Sequence, residues 1–183
     1  MARQVLFVQG AGEGTHDNWD SKLVASLDRE LGESYAVRYP RMPGEGNTSY
    51  AAWKATLMRE FGALEEGVIL VGHSVGGTIL IHVLAEERPE LRFGGLFVIA
   101  APFIGDGGWP GDDIADGKDL SECVPAGVPV YLYHGTDDAE VPTSHVRLYA
   151  EAIPHAVVRT LDGRDHQLHN DMTEVARDIR SVD

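Results

Sequence analysis

Gly67-Val68-Ile69-Leu70-Val71-Gly72-His73-Ser74-Val75-Gly76-Gly77-Thr78-Ile79-Leu80-Ile81 runs an apolar stretch of strand length into a helical pattern through Gly-x-Ser-x-Gly. The spacing places Ser74 in a sharp turn between strand and helix, with its hydroxyl exposed and a helix N-terminus beneath it. Gly72 and Gly76 leave no Cβ where the two backbones must approach closely. The match is short, and its weight comes from its context: a buried-type strand before it and a helix after it.

Outward from this turn, strand-length apolar runs alternate with helical periodicity. Val5–Val8 reads as a first strand. Trp19–Leu31 reads as a helix with Leu23, Leu27 and Leu31 on one face, and Thr15 and Asp17 as candidate caps. Tyr35–Tyr39 is a second strand, closed by Pro40. Tyr50, Trp53, Leu57, Phe61 and Leu64 share one helix face. After the strand Val68–Val71, Gly77–Ala85 is predicted helical, stopping near Pro89. Leu96–Ala100, Val128–Tyr133 and Val157–Leu161 are further strands, and Ser144–Ala152 and Met172–Ile179 further helices. Repeated strand–helix units imply a parallel sheet covered on both faces, with ligands bound at the carboxyl ends of its strands. Ser74 follows the third strand at that end.

Composition sets the class. The 183 residues carry 43% hydrophobic and 24% charged side chains, as expected of a single globular domain spanning 1–183. The net charge of −14 argues against nucleic acid or an anionic membrane surface as partner. Cys123 is the only cysteine, so neither an intramolecular disulfide nor a site of several thiolates is available. The apolar run Val5–Val8 is too short for a signal peptide. Phe93–Ile104 is too short to span a membrane, and a cytoplasmic location is expected.

One segment breaks the alternation. Pro102 to Gly127 holds Gly105, Gly107, Gly108, Gly111 and Gly117, with Asp106, Asp112, Asp113, Asp116 and Asp119 and the pair Trp109-Pro110. A long irregular insertion is commonly functional, so residues 102–127 are expected to form a lid; a solvated loop is the alternative.

A serine hydroxyl becomes a nucleophile only with a base, and that base needs an orienting acid. Two later stretches carry such groups after strands. Tyr131-Leu132-Tyr133-His134-Gly135-Thr136-Asp137-Asp138 ends in two carboxylates, followed by Val141-Pro142; Thr160-Leu161-Asp162-Gly163-Arg164-Asp165-His166 ends in histidine. The order serine, acid, histidine is that of one well-defined architecture. Asp137 competes with Asp138, and His169 with His166. His166 and His169 stand at a spacing that could pair on a metal, but no carboxylate or cysteine spacing supports one. His73 and His134 are expected to pack or hydrogen-bond beside the motifs. Gly10-x-Gly12 is a weak dinucleotide signal: Thr15 occupies the third glycine position, and no acid ends the second strand.

Gly72–Gly76, His134-Gly135-x-x-Asp138-x-x-Val141-Pro142 and Gly163-x-x-His166 together resemble the α/β-hydrolase fold of serine hydrolases, over nearly the whole chain. The resemblance implies an α/β three-layer sandwich with a six-stranded parallel sheet of order 2-1-3-4-5-6. It implies Ser74 as nucleophile, Asp138 as triad acid and His166 as base. Gln9-Gly10-Ala11-Gly12 corresponds to the family's oxyanion loop, with backbone amides of Ala11 and Val75 as donors; Gln9 stands where histidine is usual. The two additional N-terminal strands of larger members have no counterpart. Met42-Pro43 followed by Trp53 is similar to the compact branch of retinoblastoma-binding-protein-9-like serine hydrolases, whose further proline is missing here.

The expected activity is hydrolysis of small carboxylic esters (EC 3.1.1) through an acyl-enzyme, with no cofactor and no metal. Gln9, Phe103 and Trp109 are candidate pocket residues; Phe103 is equally well placed as core. Thioesters and amides suit the same machinery, and a non-catalytic scaffold on this fold is the rival from another class.

Overall fold

The computed structural model describes residues 2–111, 113–114 and 119–182. Strands β1 (Arg3–Val8), β2 (Tyr35–Arg38), β3 (Val68–His73), β4 (Phe93–Ile99), β5 (Val130–Gly135) and β6 (Val157–Leu161) form one sheet of order β2-β1-β3-β4-β5-β6. Every neighbouring pair is parallel. The helices are α1 (Ser21–Leu31), α2 (Tyr50–Phe61), α3 (Val75–Glu87), α4 (Ser144–Ala152) and α5 (Thr173–Ser181).

Alternation along the strands sorts the core into two layers. Leu6, Val8, Leu70, Leu96 and Val98 join Trp53 and Leu57 of α2, Leu80 and Leu84 of α3 and Tyr149 of α4. Val5, Phe7, Ile69, Val71, Phe97 and Ile99 face the other way, onto Leu23 and Leu27 of α1 and Val175 and Ile179 of α5. The period of two in a strand sends successive side chains to opposite faces, so β3 is buried along its full length. Each fully buried Leu, Ile or Phe contributes about 1.5–3 kcal/mol of transfer free energy, which makes the central strands the firmest part of the sheet.

The element boundaries differ from the sequence expectation at informative places. Helix α3 begins at Val75, two residues before the predicted start, because the chain passes from strand to helix through Ser74 alone. A π-helical turn, Thr15–Asp20, precedes α1, and neither Thr15 nor Asp17 caps it. Asp17 instead pairs with Arg41 at 2.6 Å, and the Thr15 hydroxyl donates to the Ala11 carbonyl at 3.2 Å. No helix among the described residues is long and apolar enough to cross a membrane.

Residues 102–127, expected as a lid, fall into parts. Thr78 and Tyr149 hydroxyls both donate to the Pro102 carbonyl, pinning its start to α3 and α4. The chain then folds back, with Trp109 N–H donating to the Phe103 carbonyl at 2.8 Å. Leu120, Cys123 and Val124 are buried in the core. Asp112 and residues 115–118 lie outside the described residues.

Candidate active site

Ser74 adopts φ 52° and ψ −132°, a conformation that costs a non-glycine residue roughly 1–3 kcal/mol and persists only where the surroundings impose it. Here the surroundings do. A Cβ on Gly72 would lie 2.6 Å from Gly77 Cα, so strand and helix touch backbone to backbone. The Ser74 amide donates to Ile99 on β4 at 2.8 Å, and its carbonyl accepts the Gly77 amide at 2.9 Å. Only a tight turn satisfies both, and it leaves the hydroxyl at the positive end of α3.

The hydroxyl of Ser74 donates to His166 Nε2 at 3.0 Å. His166 Nδ1 faces Asp138 Oδ2 at 2.9 Å, so the proton on Nδ1 points at the carboxylate and Nε2 is left to accept. The Asp138 side chain is fully buried, and its Oδ1 accepts the amides of Glu140 and Val141 at 2.8 and 2.9 Å. Burial alone would raise its pKa. The His166 hydrogen bond and the Val141 amide outweigh it, holding the carboxyl below the usual carboxylate range. His134, also buried, donates from Nε2 to the Val141 carbonyl at 2.8 Å and lies 3.4 Å from Asp138.

The rival groups point elsewhere. Asp137 is exposed, accepts the Thr136 hydroxyl at 3.3 Å and has its amide on the Arg164 carbonyl. Asp165 Oδ1 accepts the amides of Gln167 and His169, closing the turn that carries His166. His169 is more than half exposed, with Nε2 3.8 Å from Asp165. The acid turn and the histidine loop are packed backbone to backbone, since a Cβ on Gly135 would meet Arg164 and Asp165 carbonyls.

A cavity of about 570 Å³ opens over Ser74. Its wall includes Ala11 and Val75, whose amides find no acceptor among the described residues, together with Trp109 and His166. Trp109 thus stands where a pocket residue was expected. Gln9 and Phe103 do not. Gln9 is fully buried, donates from Nε2 to Glu45 at 2.6 Å and accepts the Met42 amide at 3.0 Å, bracing the 42–45 segment. Phe103 packs edge-on against Tyr149 and lines a different cavity. Asp106 also lines that other cavity; among the described residues the carboxylates on the wall over Ser74 are those of Asp137, Glu140 and Asp165.

Sequence reading missed Trp19, an exposed ring on the cavity wall, because it continued a helical pattern. It also missed Asp20, which sits fully buried behind the site on His73; an acid inside an apparent amphipathic helix carries no local sign of that partner. Among the described residues no group of histidine, cysteine, aspartate and glutamate side chains is placed to hold a metal ion.

The chain belongs to the alpha/beta hydrolase family, whose model matches residues 5–126. The matched stretch includes the Gly10 turn and Ser74, while Asp138 and His166 lie beyond it. A comparison with the curated proteins finds no match. Among solved structures, the ydeN gene product of B. subtilis is similar over 99% of this chain and 98% of its own, with TM-score 0.79 and 19% identity. A monoacylglycerol lipase from Paleococcus ferrophilus matches 98% of this chain and 95% of its own, with TM-score 0.69 and 18% identity. An α/β serine hydrolase without lid from Xanthomonas campestris covers 100% and 82%, with TM-score 0.67 and 17% identity. At these identities the likeness is one of fold.

Proposed function

We propose that the protein is a serine hydrolase that cleaves small carboxylic esters through Ser74, His166 and Asp138. The observation that carries this is the unbroken chain of hydrogen bonds from the Ser74 hydroxyl through His166 to buried, ionised Asp138. Nε2 of His166 takes the serine proton as Oγ attacks the ester carbonyl. Asp138 fixes the tautomer and stabilises the imidazolium. The Ala11 and Val75 amides receive the oxyanion. As the tetrahedral intermediate collapses, the ester C–O bond breaks and the alkoxide leaves with the proton from Nε2. Water, deprotonated by the same nitrogen, then attacks the acyl-enzyme and releases the acid, restoring Ser74. Serine, imidazole and carboxylate suffice for these steps, so no cofactor is called for.

The lipase and serine hydrolase names among the structural neighbours accord with an ester substrate. Thioesters and amides remain chemically open to the same groups, and amides additionally require a protonated amine leaving group. Placement in the retinoblastoma-binding-protein-9-like branch is supported by the Trp53 indole, which donates to the Pro43 carbonyl at 2.7 Å and so ties together the residues that suggested it. A cytoplasmic location is part of the same proposal.

The test is hydrolysis of p-nitrophenyl esters from acetate to octanoate by the protein and by Ser74→Ala. Turnover by the first and only background by the second supports the assignment. Equal rates from both would remove Ser74 from the mechanism.

A further inference from the structure

Behind Ser74 and His166 lies a second pair that the hydrolytic steps do not use. The side chains of His73 and Asp20 are 1% and 0% exposed, and His73 Nδ1 is 3.0 Å from the carboxylate. His73 Nε2 is 3.0 Å from the backbone carbonyl of His166. A carbonyl oxygen only accepts, so Nε2 carries a proton. Asp20 meets donors at its other contacts: the Gly10 amide at 2.7 Å on Oδ2 and the Gln167 side-chain amide at 3.2 Å on Oδ1. A carboxylate surrounded by donors is ionised, and beside it Nδ1 of His73 is protonated as well. Burial opposes charge on both groups. The charge and hydrogen bond each receives from the other still hold His73 above the usual imidazole range and Asp20 below the usual carboxylate range.

The contacts join four separate segments. Gly10 belongs to the turn after β1, Asp20 ends the π-helical turn, His73 is the residue before Ser74, and His166 and Gln167 belong to the loop after β6. We propose that the buried Asp20–His73 ion pair is a positioning device, in which a doubly protonated His73 suspends the His166 backbone at a fixed distance from Ser74 while Asp20 sets the Gly10–Ala11 turn. The proposal rests on the hydrolytic reading of Ser74 and His166 given above. His166 is then located from two directions, by Asp138 on its ring and by His73 on its carbonyl. His73 lines the cavity beside His166, but its hydrogen bonds go to Asp20 and the His166 carbonyl rather than to Ser74, so the pair acts through His166 and the amide turn. Loss of it should slow the chemical step more than substrate binding, because misplacing a base by a fraction of an ångström costs alignment.

The charged and titratable groups facing His73 are Asp20 from the π-helical turn, Asp138 from the acid turn and His166 from the histidine loop. Imidazole ¹⁵N spectra of the whole protein near pH 8 read the state of His73 directly. The expected result is protons on both His73 nitrogens in the unmodified protein and a neutral ring in Asp20→Asn. For p-nitrophenyl ester hydrolysis, Asp20→Asn should lower kcat at least tenfold with KM within twofold. A neutral His73 in the unmodified protein overturns the proposal. So does a folded Asp20→Asn variant that keeps kcat within twofold. If that variant does not fold, the spectra of the unmodified protein decide alone. Failure of the hydrolytic reading is separable: it appears as an unreactive Ser74, which leaves the His73 spectra as they are.

Discussion

Gly76 and Gln9 meet backbone to backbone, the space a Cβ would occupy on Gly76 being filled by the Gln9 carbonyl. The helix that carries Ser74 at its start is thereby seated on the end of β1, one residue from Gly10. That contact sets the distance between the serine and the turn whose Ala11 amide lines the cavity.

Gly76→Ala should therefore cost about 3 kcal/mol or more, since the added carbon can be accommodated only by parting two main chains. Gly62→Ala is the matched control. Gly62 sits at φ −65°, and its Cβ would meet nothing nearer than 3.6 Å, so a change within about 0.5 kcal/mol, or a small gain from a less flexible unfolded chain, is expected. Urea unfolding of the two variants measures both, and similar midpoints would contradict the close approach.

Asp137 and Asp138 are adjacent and chemically identical, yet only Asp138 reaches His166. Asp138→Asn should lower kcat by about 10⁴-fold, because the amide stabilises the wrong imidazole tautomer. Asp137→Asn should stay within about threefold on a neutral ester, because the exposed Asp137 lines the cavity without hydrogen-bonding His166 or Ser74. Steady-state kinetics of the pair decide, and a reversed pattern would reassign the acid.

The histidine loop is also held from its far side. Asp171 accepts the Thr173 amide and hydroxyl at 3.0 and 2.6 Å and the Arg164 guanidinium at 2.7 Å, and Arg164 also donates to the Leu168 carbonyl at 2.9 Å. Thr173 foremost, then Arg164, lowers the Asp171 pKa to about 2, against a slight opposing effect of burial. The folded value lies below the unfolded one of about 3.9, so the stabilisation is complete above about pH 4 and lost as pH falls towards about 2. With the carboxylate 39% exposed, solvent screening limits it to about 1 kcal/mol. Asp171→Asn should be destabilised by that amount at neutral pH, with the gap narrowing on acidification. Urea titrations of both proteins across this range test it; a gap that widens in acid would contradict the linkage.

Among the described residues, the cavity wall around Ser74 carries Asp137, Glu140 and Asp165 and no lysine or arginine. An ester bearing a free carboxylate should show a lower kcat/KM than its neutral isostere at low ionic strength. The difference should shrink at about 0.5 M salt, where the Debye length is only a few ångströms. Indifference to salt would mean that these carboxylates do not act on the substrate.

The strands were legible as short apolar runs set between helical patterns, which implied a parallel sheet covered on both faces, while their order came from the resemblance to the α/β-hydrolase fold. Ser74, Asp138 and His166 could be picked out because each follows a strand at one end of the sheet and matches the spacing of the α/β-hydrolase motifs, and the fold brings their side chains within hydrogen-bond reach. What stayed hidden depends on pairing between distant segments. Asp20 and His73 are 53 positions apart, and neither has a local pattern that names the other. Gln9 was read as facing the pocket from its neighbours in sequence. Its amide instead turns to Glu45 and Met42, contacts decided only when the 42–45 segment folds over β1. Phe103 went to the core side because its amide is held by His145 Nδ1 at 2.8 Å, on a helix that follows it by some forty residues.

The central claim is that Ser74 is an activated nucleophile. Incubation with a fluorophosphonate probe, followed by intact mass and peptide mapping with Ser74→Ala as control, tests it without knowledge of the natural substrate. A single adduct on Ser74, absent from the variant, is the predicted result. A folded protein that takes up no probe, or takes it up equally in the variant, would contradict the account.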